Sequence, residues 1–230
     1  MFIGHYGPAV WDTQRGKGEV LVPLWVGFLA VQFIDIIFGV LAILGVEGET
    51  RMIDGIPLFT IPYSHSLITA LGWAAVGGLL FKLFRPKAGK KGFWVVFGLV
   101  FSHWILDLIV HRPDLPIWPG GTVELGFGLW NLPVLSFALE VGLLLAAFIY
   151  WMRVTTGPRS SIIALSALFI CMTLIHFVFV TAPGLQVQAG TFDPHAGPQG
   201  AAIGVLMLVV FGGLTAAIAW IEKRRVPKLR

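Results

Sequence analysis

The chain has 230 residues, 57% of them hydrophobic and 12% charged, with a mean hydropathy of +0.84 and a formal net charge of +4. Soluble domains carry roughly a quarter charged residues, so this composition reads as an integral membrane protein. The single Cys171 excludes a disulfide scaffold, and positive charge spread over short connections rather than one basic face gives no support to nucleic-acid binding.

The chain opens with MFIGHYGPAVW, which has no basic residue ahead of its short apolar run. A cleaved signal peptide is therefore not expected, and the first span serves as its own insertion signal. Residues 1–11 carry no charge and have two readings. One is a re-entrant half-helix running ~16 Å inward, which carries His5 towards the other polar groups. The other is an interfacial segment with His5 at its surface.

Hydropathy then gives an all-α polytopic bundle of six spans, at about 20–45, 64–84, 93–111, 129–152, 161–181 and 201–222. Fourteen of the sixteen Lys and Arg fall on the tails and the even-numbered connections, from Arg15 and Lys17 through KLFRPKAGKK to the tail ending in Arg230. Only Arg51 and Arg112 lie on the opposite side, so both termini are expected in the cytoplasm, with a bacterial inner membrane as the expected location. The outer loops, 46–63, 112–128 and 182–200, hold Glu47, Glu49, Asp54, Asp114, Glu124 and Asp193. Trp25, Trp94, Trp118, Trp130, Trp151 and Trp220 fall near span ends and read as interfacial anchors.

Three acids remain inside spans: Asp35, Asp107 and Glu140. Burying an ionisable group in hydrocarbon costs at least ~2.5 kcal/mol, so each is expected to face a partner, a cavity or a metal. At a rise of ~1.5 Å per residue, Asp35 lies ~22 Å from the cytoplasmic start of its helix and Asp107 ~21 Å from its own. His65 opens its helix from the outer side, His111 closes its helix there, and His103 sits one turn deeper than Asp107. These five residues therefore share one level in the outer half of the membrane.

The stretch SHWILDLIVHRPDLP, residues 102–116, places His103, Asp107 and His111 at a spacing of four. Such a series spreads over only ~80° of a helix face, and neighbours in it can reach one ion. Imidazole with carboxylate suits a divalent transition metal better than Ca or Mg, zinc first, with manganese and iron as alternatives. Plainer readings stand beside this one. His103–Asp107 can be a hydrogen-bonded pair, His111 an interfacial residue, Asp35 a partner of Gln32, and His65 a residue following Ser64 as helix N-cap. Arg112 reads as solvated or paired with Asp114. Glu140 and His176 read as hydrogen bonds of the bundle interior. Convergence on one depth favours the metal.

FIGHYG, the span acid in QFIDII, PYSHSL and SHWILDLIVHRPDLPIWP together resemble the membrane-bound metal-dependent hydrolases of the YdjM type, in the same order, over residues 1–152. Residues 153–230 are then two additional spans and a basic tail. The family's His-Arg-Gly tract before the His-Ser pair is replaced here by FTIPYSHS, its Pro-Asp-x-Asp-His pattern is reduced to Asp35, and His111 is extra. The resemblance implies a metal held by His5, Asp35, His65, His103 and Asp107. It further implies a hydrolase; from the residues themselves, an ion with an open coordination position activates a water, Asp35 or His111 is the expected general base, and the outer-half depth favours an amphiphilic lipid or phospho-ester as substrate. Membrane lipids are the expected surroundings, no nucleic acid is expected, and a homodimer is left open. Two other readings remain. One is a transporter or permease using Asp35, Asp107, Glu140 and His176 as a polar path. The other is a b-type haem protein using paired transmembrane histidines.

Overall fold

The computed structural model describes residues 1–12 and 20–228, so Arg15, Lys17 and Arg230 of the basic set lie outside the described residues. The chain is mostly helical. After a single helical turn at Ile3–His5 come α1 (Tyr6–Asp12), α2 (Leu24–Val31) and α3 (Phe33–Ile43), then a hairpin of β1 (Glu49–Ile53) and β2 (Ile56–Thr60). Helices α4 (Leu67–Phe84) and α5 (Gly89–Val110) follow, then a short ladder of β3 (Leu115–Pro116) and β4 (Glu124–Leu125). Next are α6 (Pro133–Val154), β5 (Thr155–Thr156), α7 (Arg159–His176), α8 (Ala182–Gln188), α9 (Ala201–Glu222) and β6 (Val226–Pro227). Among the described residues, five helices are long and apolar enough to cross a membrane, or six if the bent pair α2–α3 is one span.

That bent pair falls within the first span expected from hydropathy, about 20–45. The helix breaks at Gln32 with a 53° bend. At this break the buried Gln32 amide donates to the Phe2 carbonyl at 3.2 Å, tying the bend to the N-terminal segment. The break also leaves Val31 in a last helical turn, where carbonyls lack helical partners. The Val31 oxygen is accordingly free to accept from His103 Nδ1 at 2.6 Å.

The loop expected over 46–63 is largely a hairpin. Asp54 (φ 50°) and Gly55 (φ 78°) form its two-residue turn, and both residues take the positive φ that a twist-compatible hairpin requires. The hairpin hangs over the bundle through an exposed Arg51–Glu124 ion pair at 2.8 Å. Glu47 and Asp114, assigned to the outer loops, are both buried beneath this layer. Helix α4 is capped by Ser66, whose side chain accepts from Thr69 N. Ser64, the cap expected from sequence, does something else.

Helix packing relies on close backbone approach. In AAVGGLL, a Cβ on Gly78 would meet the Phe93 carbonyl oxygen at 2.9 Å, so this small-residue surface packs α4 on α5 within the chain. Gly39 of α3 and Gly204 of α9 are in mutual contact, whereas Gly212 and Gly213 face open space. Glu222, at the end of α9, accepts from Leu24 N and Trp25 N at 2.7 and 3.1 Å and so closes the start of α2. The last helix thus packs against the first ones in one hydrophobic core. Arg225 folds back against the α6–α7 turn, donating to Thr155 and Ser161 and lying 5.3 Å from the ring of Trp151. Trp151 is therefore a buried core residue and not an interfacial anchor, while Trp25, Trp94, Trp118 and Trp220 are exposed.

Gly204→Ala is expected to lower the melting temperature in detergent, because its methyl collides with the Gly39 carbonyl oxygen and crowds Ile43. Overpacking of this kind typically costs about 1–3 kcal/mol. Gly212→Ala, with nothing near its Cβ, serves as the control and leaves the melt unchanged or raised.

Candidate metal centre

The five residues expected at one depth, together with His5, meet in one buried cluster. Asp107 of α5 lies at its centre. Its Oδ2 faces His103 Nε2 at 3.0 Å and His65 Nε2 at 3.6 Å; its Oδ1 faces His5 Nε2 at 3.1 Å and His111 Nε2 at 3.7 Å. The Met1 α-amine is also ion-paired with Oδ1. Asp35 of α3 adds a second carboxylate, 3.3 Å from His65 Nε2 and 3.6 Å from His103 Nε2. The rings of His5 and His103 stack with centroids 3.7 Å apart. Their side chains and that of Asp107 are at most 1% exposed, and Asp35, at 12%, is the most open member.

Each imidazole except His5 is oriented from behind by an acceptor. His103 Nδ1 meets only a carbonyl, that of Val31, so it carries the hydrogen and leaves Nε2 a bare lone pair. For His65 the chain is longer. Ser64 donates its hydroxyl to Glu47 Oε2 at 2.6 Å, so its oxygen accepts from His65 Nδ1 at 2.7 Å. Glu47 in turn accepts from the Ser64 and Tyr63 backbone N–H groups. His111 Nδ1 donates to Asp114 Oδ1 at 2.8 Å. Three Nε2 lone pairs therefore point inwards. Carboxylate-, hydroxyl- or carbonyl-backed imidazoles are the usual second layer of a metal site.

His5 reaches the cluster by another device. The Phe2 and Gly4 N–H groups donate to Glu140 Oε2 at 2.7 and 3.1 Å, which pins the helical turn carrying His5 against α6. A Cβ on Gly4 would collide with the Met1 side chain and crowd that of Glu140 at 3.3 Å, so glycine permits this close packing. His5 is fully buried, which replaces the interfacial reading with the buried one. Glu140 is the bundle-interior acceptor expected of it; His176, expected to be hydrogen-bonded as well, has neither ring nitrogen partnered among the described residues, its Nδ1 lying 3.6 Å from Glu140 Oε2 and its ring stacking on Phe137.

The donor set fits a cation. His5 Nε2, His103 Nε2 and Asp107 Oδ2 are buried and lack hydrogen-bond partners, and unpaired buried polar atoms are costly. Two triads, His5–His103–Asp107 and Asp35–His65–His103, each bring their ligand atoms within 4.8 Å of one another. These buried clusters can hold a metal ion. His103 belongs to both triads but has one free nitrogen, since Nδ1 is engaged by Val31, so it serves one ion at a time.

No family model, curated protein or solved structure matches this chain. The site must speak for itself.

Glu47, Ser64, Asp114 and the Val31 carbonyl were not expected as orienting groups. Asp114 alone had a local signal, three residues beyond His111 in HRPD. Arg112, expected as solvated or paired with Asp114, is neither. It is buried, and Asp114 spends its two oxygens on His111 and on Phe59 N at 2.9 Å. Burial pulls the guanidinium below its ordinary pKa, and the charge of Asp114 offsets this only in part.

Elemental analysis of detergent-purified protein is expected to find about one transition-metal ion per chain, absent from His103→Ala and from Asp107→Ala. Ser64→Ala should weaken metal affinity about 10–100-fold while leaving saturation stoichiometry intact, because it cuts the link from Glu47 to His65. Metal content unchanged in Asp107→Ala would remove the site.

Proposed function

We propose that the protein is a membrane-embedded metal-dependent hydrolase, as its resemblance to the YdjM-like hydrolases implies, and that it acts on an amphiphilic lipid or phospho-ester, as the depth and burial of the cluster favour. The observation that carries this reading is the gathering of two carboxylates and four imidazoles around unpartnered lone pairs. A transporter's polar groups would be strung along the bundle, and a haem site would leave the carboxylates without a role. His5, His65, His103, Asp107 and Asp35 are the ligand set, zinc being the preferred ion and manganese or iron the alternatives. When bound, the cation supplies a Lewis acid that polarises the ester and acidifies a water.

His111 is the general base. Its Nε2 faces Asp107, and its Nδ1–H is held by Asp114, an arrangement that fixes the ring and stabilises the imidazolium formed when Nε2 takes the proton of the attacking water. The same Nε2–H then returns the proton to the leaving oxygen. Asp35, the most open carboxylate of the cluster, completes the ligand set or shares the proton. The cluster lies in the outer half of a cytoplasmic membrane, with the basic C-terminal tail in the cytoplasm and the N-terminal segment folded inward so that the Met1 amine meets Asp107, and its substrate enters laterally from the lipid.

The test is turnover of fluorogenic phospholipid and phosphate esters by metal-loaded protein in nanodiscs. Chelation is expected to abolish hydrolysis. His111→Ala is expected to lower kcat by about 10²–10⁴-fold with metal content retained, since it removes a proton acceptor and not the ion. Hydrolysis that survives both chelation and Asp107→Ala would refute the reading.

A further inference from the structure

A second polar site adjoins the cluster. A cavity of about 180 Å³ lies between the β hairpin, the start of α6 and the turn joining α7 to α8. Arg112, Ser136 and Thr181 line it, and all three are more than nine-tenths buried. Arg112 donates through Nε to Asn131 Oδ1 at 2.8 Å and, weakly, through Nη1 to the Pro57 carbonyl at 3.4 Å. Its Nη2 has no hydrogen-bond partner, and no carboxylate forms an ion pair with it, among the described residues. The Ser136 and Thr181 hydroxyls are buried without hydrogen-bond partners among the described residues.

A buried guanidinium in no direct ion pair is costly even with the charge of Asp114 nearby, and two unpartnered hydroxyls on the wall of the same cavity add to the deficit. One tetrahedral oxyanion settles all three, because arginine offers a planar fork to phosphate oxygens and the hydroxyls donate to the remainder. The rest of the wall is apolar and runs out to Phe179, which is exposed on the flank of the bundle. At about 180 Å³ the cavity is smaller than the ~300–1,000 Å³ of whole-ligand pockets, so it takes a headgroup and leaves acyl chains outside. Thr181 is delivered by a widened π-helical turn at Phe177–Thr181, a distortion that recurs at functional sites. Two walls of the cavity, Phe59 and Trp130, also pack on His111, with Trp130 and His111 ring centroids 4.2 Å apart.

We infer that this cavity binds the phosphate of an anionic phospholipid through Arg112, Ser136 and Thr181, beside the metal cluster. The inference deepens the hydrolase reading and rests on it for the fate of the bound lipid, but binding is measurable without metal or turnover.

The experiment titrates chelator-treated, detergent-purified full-length chain with dioctanoyl phosphatidate, dioctanoylglycerol or inorganic phosphate, read by native mass spectrometry. Phosphatidate is expected to bind at least ten-fold more tightly than dioctanoylglycerol. Arg112→Gln is expected to remove that preference, and Arg112→Lys to recover part of it. Ser136→Ala with Thr181→Val, which deletes unpaired hydroxyls and so spares the fold, should weaken phosphatidate several-fold and leave dioctanoylglycerol unaffected. Asp107→Ala should bind phosphatidate as wild type does, so loss of hydrolysis and loss of this site are separable. Equal binding of phosphatidate and dioctanoylglycerol, or a preference untouched by both the Arg112 and the hydroxyl variants, overturns the inference. Inorganic phosphate that matches phosphatidate in affinity overturns the lipid as its source.

Discussion

The carboxylate of Asp107 is buried inside an apolar helix bundle, and its charge has to be matched there. Nearly every irregular feature around it serves that end. His103 comes from the same helix face, His65 from the end of the hairpin loop, His111 from the helix terminus and His5 from the N-terminal turn. Imidazoles alone would be free to rotate away. Val31, the Glu47–Ser64 pair and Asp114 hold three of them by the far nitrogen, and Glu140 holds the backbone that carries the fourth. A cluster fixed in this way is preorganised, so a cation meets its ligands without reordering them.

The two departures from regular helix both lie next to polar groups. The break at Gln32 exposes a carbonyl for His103, and the widened turn at Phe177–Thr181 brings a hydroxyl to the cavity that Arg112 also lines. Irregular backbone inside an apolar bundle is tolerated where it is buried in protein or lines a cavity, and these two segments satisfy that condition in different ways. His111 stands between them, with Asp107 on one side and the cavity wall residues Phe59 and Trp130 on the other.

Much of the centre was legible because helix geometry is uniform. A fixed rise per residue places Asp35, His65 and Asp107 at one level from their span positions alone, and a spacing of four aligns His103, Asp107 and His111. The orienting groups were not legible, because register and breaks select them. Glu47 meets Ser64 only after the intervening hairpin folds back, and the Val31 carbonyl is open because the helix breaks at Gln32. The hairpin itself had a signal in the Asp54–Gly55 pair of RMIDGIPLFT, which a hydropathy window averages away. Trp151 looked interfacial because it ends a span; Arg225, returning from the far end of the chain, covers it.

That a cation organises these side chains is tested most directly by X-ray absorption spectroscopy at the metal edge of zinc-loaded protein. The predicted spectrum has about four nitrogen and oxygen ligands with the outer-shell scattering of imidazole, and that scattering falls in His65→Ala and His103→Ala. A coordination shell of sulfur or of water alone, or an imidazole signal unchanged by both substitutions, would contradict it.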